Sequence, residues 1–217
     1  MRSLRRLFLL VLTISMLFSV FLFNQKAIGG QYYQFRDFSF TIQDIGDNPN
    51  IWNLFADDWY VVSRINRMTP GSLSGRIKIP EDMERAKRYT PFPLNISNKE
   101  GKLVFINLAN QALAVYEKGV LVEWMPVSTG GNESKTPTGE FFITKKFPHY
   151  YSKTYPKPNG GASMPFALQL NYPYSGYFIH AGALPGKPSS KGCIRLMRRD
   201  AEDLYRWAKK GTKVLIK

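Results

Sequence analysis

Thiols and imidazoles are scarce in this chain. Its 217 residues include one cysteine, Cys193, and two histidines, His149 and His180. A lone cysteine cannot close an internal disulfide, and one cysteine with two histidines and no nearby carboxylate cluster makes no metal-ligand set. Acidic residues are also short, 16 against 30 basic, for a formal net charge of +14. No glycine-rich phosphate-binding loop is present, and nothing resembles a helix-borne cysteine served by a distant histidine and asparagine. No cofactor and no metal are therefore expected. The charge excess points to anionic partners or to a generally basic surface.

Long apolar runs are equally rare, and the one that exists stands at the N-terminus. Arg2, Arg5 and Arg6 precede seventeen uncharged residues, Leu7 to Phe23, and Asn24, Gln25 and Lys26 end the run. This is the pattern of an export signal or an N-terminal anchor. A small-residue site at Ala27 and Gly29 leaves cleavage and retention both open. Seventeen residues are somewhat short of the roughly twenty that span a bilayer comfortably. No cysteine follows the run, so it is not a lipoprotein signal. Positive residues on the near side place the rest of the chain outside the cytoplasm, in the periplasm or cell envelope, with residues 7–23 as an inner-membrane anchor if retained. Nucleic acid is then not the partner; head groups and wall polymers are.

Behind the residue 1–30 leader, residues 31–99 form a small α+β region. Gln31 to Gln43 alternates aromatic and polar residues as a strand does, and Ile51 to Ile65 has apolar residues at helical intervals. Ile77 to Pro80 is a short strand stopped by proline, and Glu81 to Tyr89 reads as a further helical piece. Thr90-Pro91-Phe92-Pro93-Leu94 reads as an extended linker. The order of these pieces, with Ile65-Asn66-Arg67 and Gly75-Arg76-Ile77-Lys78-Ile79-Pro80, resembles a degenerate LysM-type module, a small peptidoglycan-binding fold. A pro-region packed on the main domain is the other reading.

Residues 100–217 are mainly β. Seven short strands are expected: 103–107, 112–116, 120–127, 141–144, 166–170, 177–179 and 212–216. This number of strands separated by turn signals argues for a sandwich or barrel. One helix follows Asp200, read as its N-cap, with Ala201, Leu204, Tyr205 and Ala208 on one face.

The chemistry concentrates in Tyr177 to Leu196, YFIHAGALPGKPSSKGCIRL. His180 ends an apolar strand, and Cys193 lies thirteen positions on, across a glycine- and proline-rich connection. A thiol needs a nearby base to act as a nucleophile at neutral pH, and His180 can supply one. An inert buried cysteine is the competing reading of the pair alone. Two further loops, Ser128-Thr129-Gly130-Gly131 and Thr136-Pro137-Thr138-Gly139-Glu140-Phe141, have the glycines that let a backbone turn sharply or approach a ligand. Taken in order, Val-Ser-Thr-Gly, Thr-Pro-x-Gly-x-Phe, Ile-His-x-Gly and Ser-x-Gly-Cys-Ile-Arg-Leu resemble the catalytic domain of the YkuD-type L,D-transpeptidases, in the branch with a short HAG…PG.P loop. The resemblance covers residues 100–217.

That resemblance implies a β-sandwich with a C-terminal helix, acting on peptidoglycan stem peptides. It implies Cys193 as a nucleophile that forms a thioester acyl-enzyme and His180 as the base, oriented by the backbone carbonyl of Ala181. The N–H groups of Gly192 and Cys193 become candidates for an oxyanion hole, and Ser190 holds the loop. Arg195 is either a fork for a substrate carboxylate or a structural partner of Asp200 or Glu202. Tyr150, Tyr151, Tyr155, Lys153 and Lys157 read as a flap or a solvated loop, with His149 a loop residue beside them. The products implied are 3→3 cross-links or a protein attached to the wall. Hydrolysis by the same site and non-catalytic wall binding are the alternatives.

One position departs from the family pattern. Where a histidine commonly stands between serine and glycine, this chain has Lys191. A lysine there can support the thiolate only through its charge, by about a unit or more in pKa when close and desolvated. A base at the end of a strand is better held than one inside the nucleophile loop, which favours His180. Lys191→Ala is therefore expected to retain measurable turnover, and His180→Ala and Cys193→Ser to lose it. A folded but inactive Lys191→Ala beside an active His180→Ala reverses the assignment.

Overall fold

A computed structural model describes residues 39–97, 101–153, 161–172 and 176–217. The leader, residues 1–30, lies outside them, as do most of the expected first strand and the positions Tyr155 and Lys157. Among the described residues no helix is long and apolar enough to cross a membrane.

The N-terminal unit runs β1 (Phe40–Asp44), α1 (Ile51–Phe55), a 3₁₀ turn, α2 (Trp59–Asn66), a second 3₁₀ turn, β2 (Arg76–Pro80) and α3 (Met83–Arg88). Strands β1 and β2 pair antiparallel. The helical period expected over 51–65 breaks at Ala56, whose φ of 42° admits no continuous helix. Asn66 ties the end of α2 to β2. Its side-chain amide donates to the Lys78 carbonyl at 2.8 Å and its carbonyl oxygen accepts from the Lys78 N–H at 2.8 Å. Ile51, Val62, Leu73 and Ile77 form the small core of this unit.

The stretch read as a linker is packed, not free. Phe92 is buried, and its segment covers the outer face of three strands of the main domain, meeting Leu103, Ala114, Tyr116 and Trp124. The Tyr116 hydroxyl donates to Pro93 O at 2.9 Å and the Trp124 indole N–H to Tyr89 O at 2.6 Å. Backbone bonds from Leu121 N–H to Leu94 O and from Ile96 N–H to Gly119 O continue the attachment. Apart from the Phe92 N–H donated to Thr90 Oγ1 at 3.1 Å, the polar groups of this proline-rich stretch named here are satisfied by the neighbouring strands.

The main domain is β3 (Lys102–Asn107), β4 (Ala112–Glu117), β5 (Val120–Ser128), β6 (Gly139–Tyr151), β7 (Ser163–Leu170), β8 (Phe178–Ala181), β9 (Ile194–Leu196), α4 (Arg198–Trp207) and β10 (Lys213–Ile216). It is mainly β with a C-terminal helix, as expected. The two sheets of a sandwich meet at both edges, and eight strands close in the order β10-β3-β4-β5-β9-β8-β7-β6. Closure leaves no free sheet edge. Strand period decides the faces: Val104, Ile106, Leu113, Val115, Met125 and Val127 share one core, while Leu103, Tyr116 and Trp124 face the packed segment. Strands β3 to β5 are thus covered on both sides, which is why they read as nearly continuous apolar runs. At the β4–β5 hairpin both Lys118 and Gly119 have positive φ, the geometry that matches the twist of the strands.

Three expectations change. The β9 strand was hidden inside the cysteine motif. The 141–144 strand extends to Tyr151, so His149 and Tyr150 pair with Pro165 and Met164 of β7 and are not loop residues. Asp200 does not cap its helix: Met197 stands at the N-cap without a side-chain bond, and Asp200 is buried inside the first turn. Its Oδ1 accepts from the Tyr60 hydroxyl of α2 at 2.6 Å, while its Oδ2 is buried without a partner. This contact, with the Arg64–Glu123 ion pair at 3.0 Å, joins the N-terminal unit to the main domain.

Burial raises the Asp200 carboxyl from 3.8 to about 7, against the lowering effects of the Tyr60 hydroxyl, Arg64 and Arg199. The folded protein therefore binds a proton that the unfolded chain has lost between about pH 4 and pH 7. Stability is expected to fall as pH rises through that window, by on the order of 4 kcal/mol, and to level above it. Urea denaturation of Asp200→Asn, neutral at every pH, should lack that slope; an unchanged slope sinks the assignment.

Candidate active site

The site is built where β8 and β9 run parallel. Ile179 pairs with Ile194, His180 with Arg195, and Ala181 with Leu196. His180 therefore projects from the last turn of a buried strand, and Cys193 enters the adjacent strand just before its first residue. His180 is buried, and its Nδ1 lies 2.8 Å from the Ala181 carbonyl oxygen. A carbonyl can only accept, so Nδ1 bears the proton and Nε2 is left with the lone pair. Cys193 is partly buried and packs against Met164, Ala167 and Phe178, with Phe147 and Tyr150 beside them. Tyr150 stacks on Phe178 with ring centroids 4.9 Å apart.

Burial dominates the electrostatics of both groups. It raises the thiol above its ordinary value, and a backbone hydrogen bond at Phe178 and the Arg195 charge only partly oppose it. It lowers His180 to about 4, with Arg195 acting in the same direction and the Ala181 bond against it. Burial thus opposes charge on both groups.

Arg195 has neither of its expected acidic partners. Its Nη2 donates to Ser128 Oγ at 3.2 Å and to Ser189 Oγ. Glu202 pairs instead with Arg206. The Arg195 stem crosses Gly182 so closely that a Cβ there would lie 2.7 Å from its Cδ. The glycine of the His-Ala-Gly run is thus required by the arginine. Lys191 is exposed, and the Arg195 charge acts on both thiol and imidazole.

The loop that holds Cys193 is fastened by hydroxyls. Ser190 Oγ donates to the Cys193 carbonyl at 2.5 Å and accepts from the Gly192 N–H at 3.1 Å. That bond occupies the Gly192 N–H, so of the two donors considered for an oxyanion hole only the Cys193 N–H is left as a candidate. Thr136 Oγ1 accepts from Gly130 N–H and donates to the Gly192 carbonyl, both at 2.8 Å. Gly192 has φ of +100°, and a Cβ there would meet the Tyr177 ring at 2.6 Å, so its small size serves Tyr177 and the turn more than the thiol. Below this loop lies the 128–131 segment. The Thr129 carbonyl accepts from Ser189 and Ser190 N–H, each at 2.9 Å, and Gly131 N–H donates to Ser190 O at 3.0 Å. Gln111, absent from the sequence-level site, holds Thr129 in turn. Its Oε1 accepts from Thr129 N–H at 2.9 Å and its Nε2 donates to Thr129 Oγ1 at 2.7 Å. A lone glutamine after a turn gives no signal in one sequence; its burial does.

Residues 101–216 match the YkuD family, the L,D-transpeptidase catalytic domain. The chain belongs to this family. It is 33% identical to the L,D-transpeptidase YkuD of Bacillus licheniformis over 117 residues, 52% of this chain and 64% of that protein. The chain thus spans less than two thirds of that relative's length. An L,D-transpeptidase structure from Stackebrandtia nassauensis aligns with a TM-score of 0.51 at 26% identity, covering 61% of this chain and 62% of that one. One from Xylanimonas cellulosilytica aligns at 0.56 and 20% identity over 87% and 98% of the two chains, and shares the fold. In this YkuD-family domain the Ser-Thr-Gly and Thr-Pro-x-Gly motifs are the two supports of the cysteine loop.

Thr136→Val tests that support. It keeps the shape but leaves the Gly130 N–H and the Gly192 carbonyl unpaired in a buried place. The expected loss is about 2 kcal/mol in urea unfolding, with faster alkylation of Cys193 as burial of the thiol is relaxed. Parent-like stability excludes the role.

Proposed function

We propose that this protein is a cysteine-dependent peptidoglycan L,D-transpeptidase of the cell envelope. The observation that carries the reading is the His180–Cys193 placement: a buried imidazole with Nδ1 fixed on a backbone carbonyl, on the strand parallel to the one that Cys193 opens. Family membership agrees with it. The substrate is a peptidoglycan stem peptide, and the exported location follows from the residue 1–30 leader. A bond to the membrane through residues 7–23 and wall binding by residues 31–99 belong to the same proposal.

In this scheme Cys193 Sγ attacks the carbonyl between the third and fourth residues of a donor stem. The thiol proton passes to Nε2 of His180 as the S–C bond forms, because burial opposes a free thiolate beforehand. The oxygen of the tetrahedral intermediate carries the negative charge and takes the Cys193 N–H as donor. Collapse breaks the C–N bond, and the imidazolium returns its proton to the departing amine. The thioester is then attacked by an acceptor amine, whose proton passes to His180 and on to the released thiol. A second stem as acceptor gives a 3→3 cross-link, and a protein lysine gives attachment to the wall. Ser190, Gly192 and Thr136 hold the nucleophile's loop throughout. Arg195 acts from within the site: its charge eases thiol ionisation and adds to the burial that disfavours a charged His180, and its bonds to Ser128 and Ser189 leave it poorly placed as a free carboxylate fork.

The purified protein incubated with a carbapenem should gain the mass of one adduct, located on Cys193. With tetrapeptide-containing sacculi it should yield 3→3 linked muropeptides. No adduct on folded protein favours a wall-binding role without catalysis. An adduct with only shortened stems assigns hydrolysis.

A further inference from the structure

The connection between His180 and Cys193 is held at two ends by two different parts of the chain. Its second half rests on the barrel, through the Lys187 carbonyl, which accepts from Ser128 Oγ at 2.9 Å, and through the Thr129 bonds to Ser189 and Ser190. Its first half rests on the N-terminal unit. Thr69 N–H donates to Leu184 O at 3.0 Å, and Gly186 N–H donates to Arg67 O at 3.1 Å, with Met68 opposite Pro185 in an antiparallel bridge. Leu184 is fully buried. Gly186 has φ of +79°, and a Cβ there would lie 2.7 Å from Met68 Cε, so the contact is fitted to a glycine.

Residues 67–69 are themselves held rigidly. Arg67 ends α2 in the left-handed conformation at φ 59°. Its Nε donates to Asn110 O at 3.1 Å, and its guanidinium lies 4.8 Å from the centre of the Trp124 ring. Burial lowers its pKa to about 10, an effect larger than any of the partner interactions opposing it. Tyr60–Asp200 and Arg64–Glu123 fasten the same helix to the barrel. The helix cap is thus anchored on β5 and presents two backbone groups to the active-site connection.

We infer that Arg67–Thr69 is a positioning element of the active site: a backbone brace that sets the His180–Cys193 connection from outside the family domain. The N-terminal unit then has a part in the site besides any wall polymer it takes. The inference needs only that Cys193 is a thiol held by this connection, and so stands apart from the transpeptidase reading.

Thr69→Pro tests it on the full chain. Thr69 has φ of −67°, which proline adopts, so the change removes the N–H, together with the hydroxyl that the alanine variant controls for. Thr69→Ala keeps the N–H and loses the hydroxyl contact with Ser72. Two readouts apply: amide exchange over residues 182–192, and the pH midpoint of Cys193 alkylation by iodoacetamide. In Thr69→Pro exchange should rise about tenfold in that segment while the amides of β3 to β5 stay protected. The alkylation midpoint should move down towards that of an exposed cysteine as burial is relaxed. Thr69→Ala should match the parent on both. Unchanged exchange and midpoint in Thr69→Pro overturn the inference. If Thr69→Pro also exposes β3 to β5, Arg67→Ala, which frees residues 67–69 from Asn110 O and the Trp124 ring, decides: a parent-like connection in that folded variant overturns the inference, and a loosened one supports it. A carbapenem adduct that fails in the parent would sink the transpeptidase reading and leave this result intact.

Discussion

The structure around the thiol depends on one constraint: a turn that carries a thiol between two parallel strands must satisfy its backbone polar groups away from water. Parallel neighbours need a crossover, and here it is made by an irregular connection without helix or ladder of its own. Each unpaired buried group would cost about 1–3 kcal/mol. The groups are met by side chains that both donate and accept. Thr136 Oγ1 joins Gly130 to Gly192, Ser190 Oγ joins Gly192 to Cys193, and Gln111 bonds both the N–H and the hydroxyl of Thr129. A small hydroxyl or amide can serve two directions at once, which explains the residue types in the Ser-Thr-Gly and Thr-Pro-x-Gly motifs.

The same burial sets the chemistry. It opposes charge on both members of the pair, so a preformed thiolate–imidazolium is disfavoured. Arg195 opposes this on the sulfur and reinforces it on the ring. A charge held by Ser128 and Ser189, across a glycine, is fixed in place. A family member with Lys191 where histidine is common can therefore draw on Arg195 for a field at both thiol and imidazole.

Much of this was legible beforehand, and the reasons differ by residue. Strands β3 to β5 were readable because burial on both faces makes them apolar throughout, and the Lys118-Gly119 turn because a tight hairpin demands its glycine. His180 and Cys193 stood out by rarity. The three-residue β9 was not readable, since its pairing is supplied by β8 and β5 and not by any period of its own. The length of β6 was obscured by Lys145, Lys146, Pro148 and His149, which look like loop chemistry until β7 lies beside them. Asp200 misled because an acid before an apolar period looks like a cap, whereas its partner, Tyr60, is far away in sequence.

That long-range contact also bears on how the two parts of the chain relate. A separate wall-binding module would be expected to meet a catalytic domain through a modest polar surface and a free linker. Here residues 89–97 are sewn to the β4–β5 hairpin, Arg64 and Arg67 lie over Trp124, and Tyr60 reaches a buried carboxyl in the helix that follows the cysteine strand. A buried acid that keeps its proton near neutrality is tolerated because a neutral carboxyl costs less to enclose than a carboxylate. The N-terminal unit therefore closes over groups that the barrel alone would leave unsatisfied. Order in the His180–Cys193 connection then depends on that closure as much as on the motifs that mark the family.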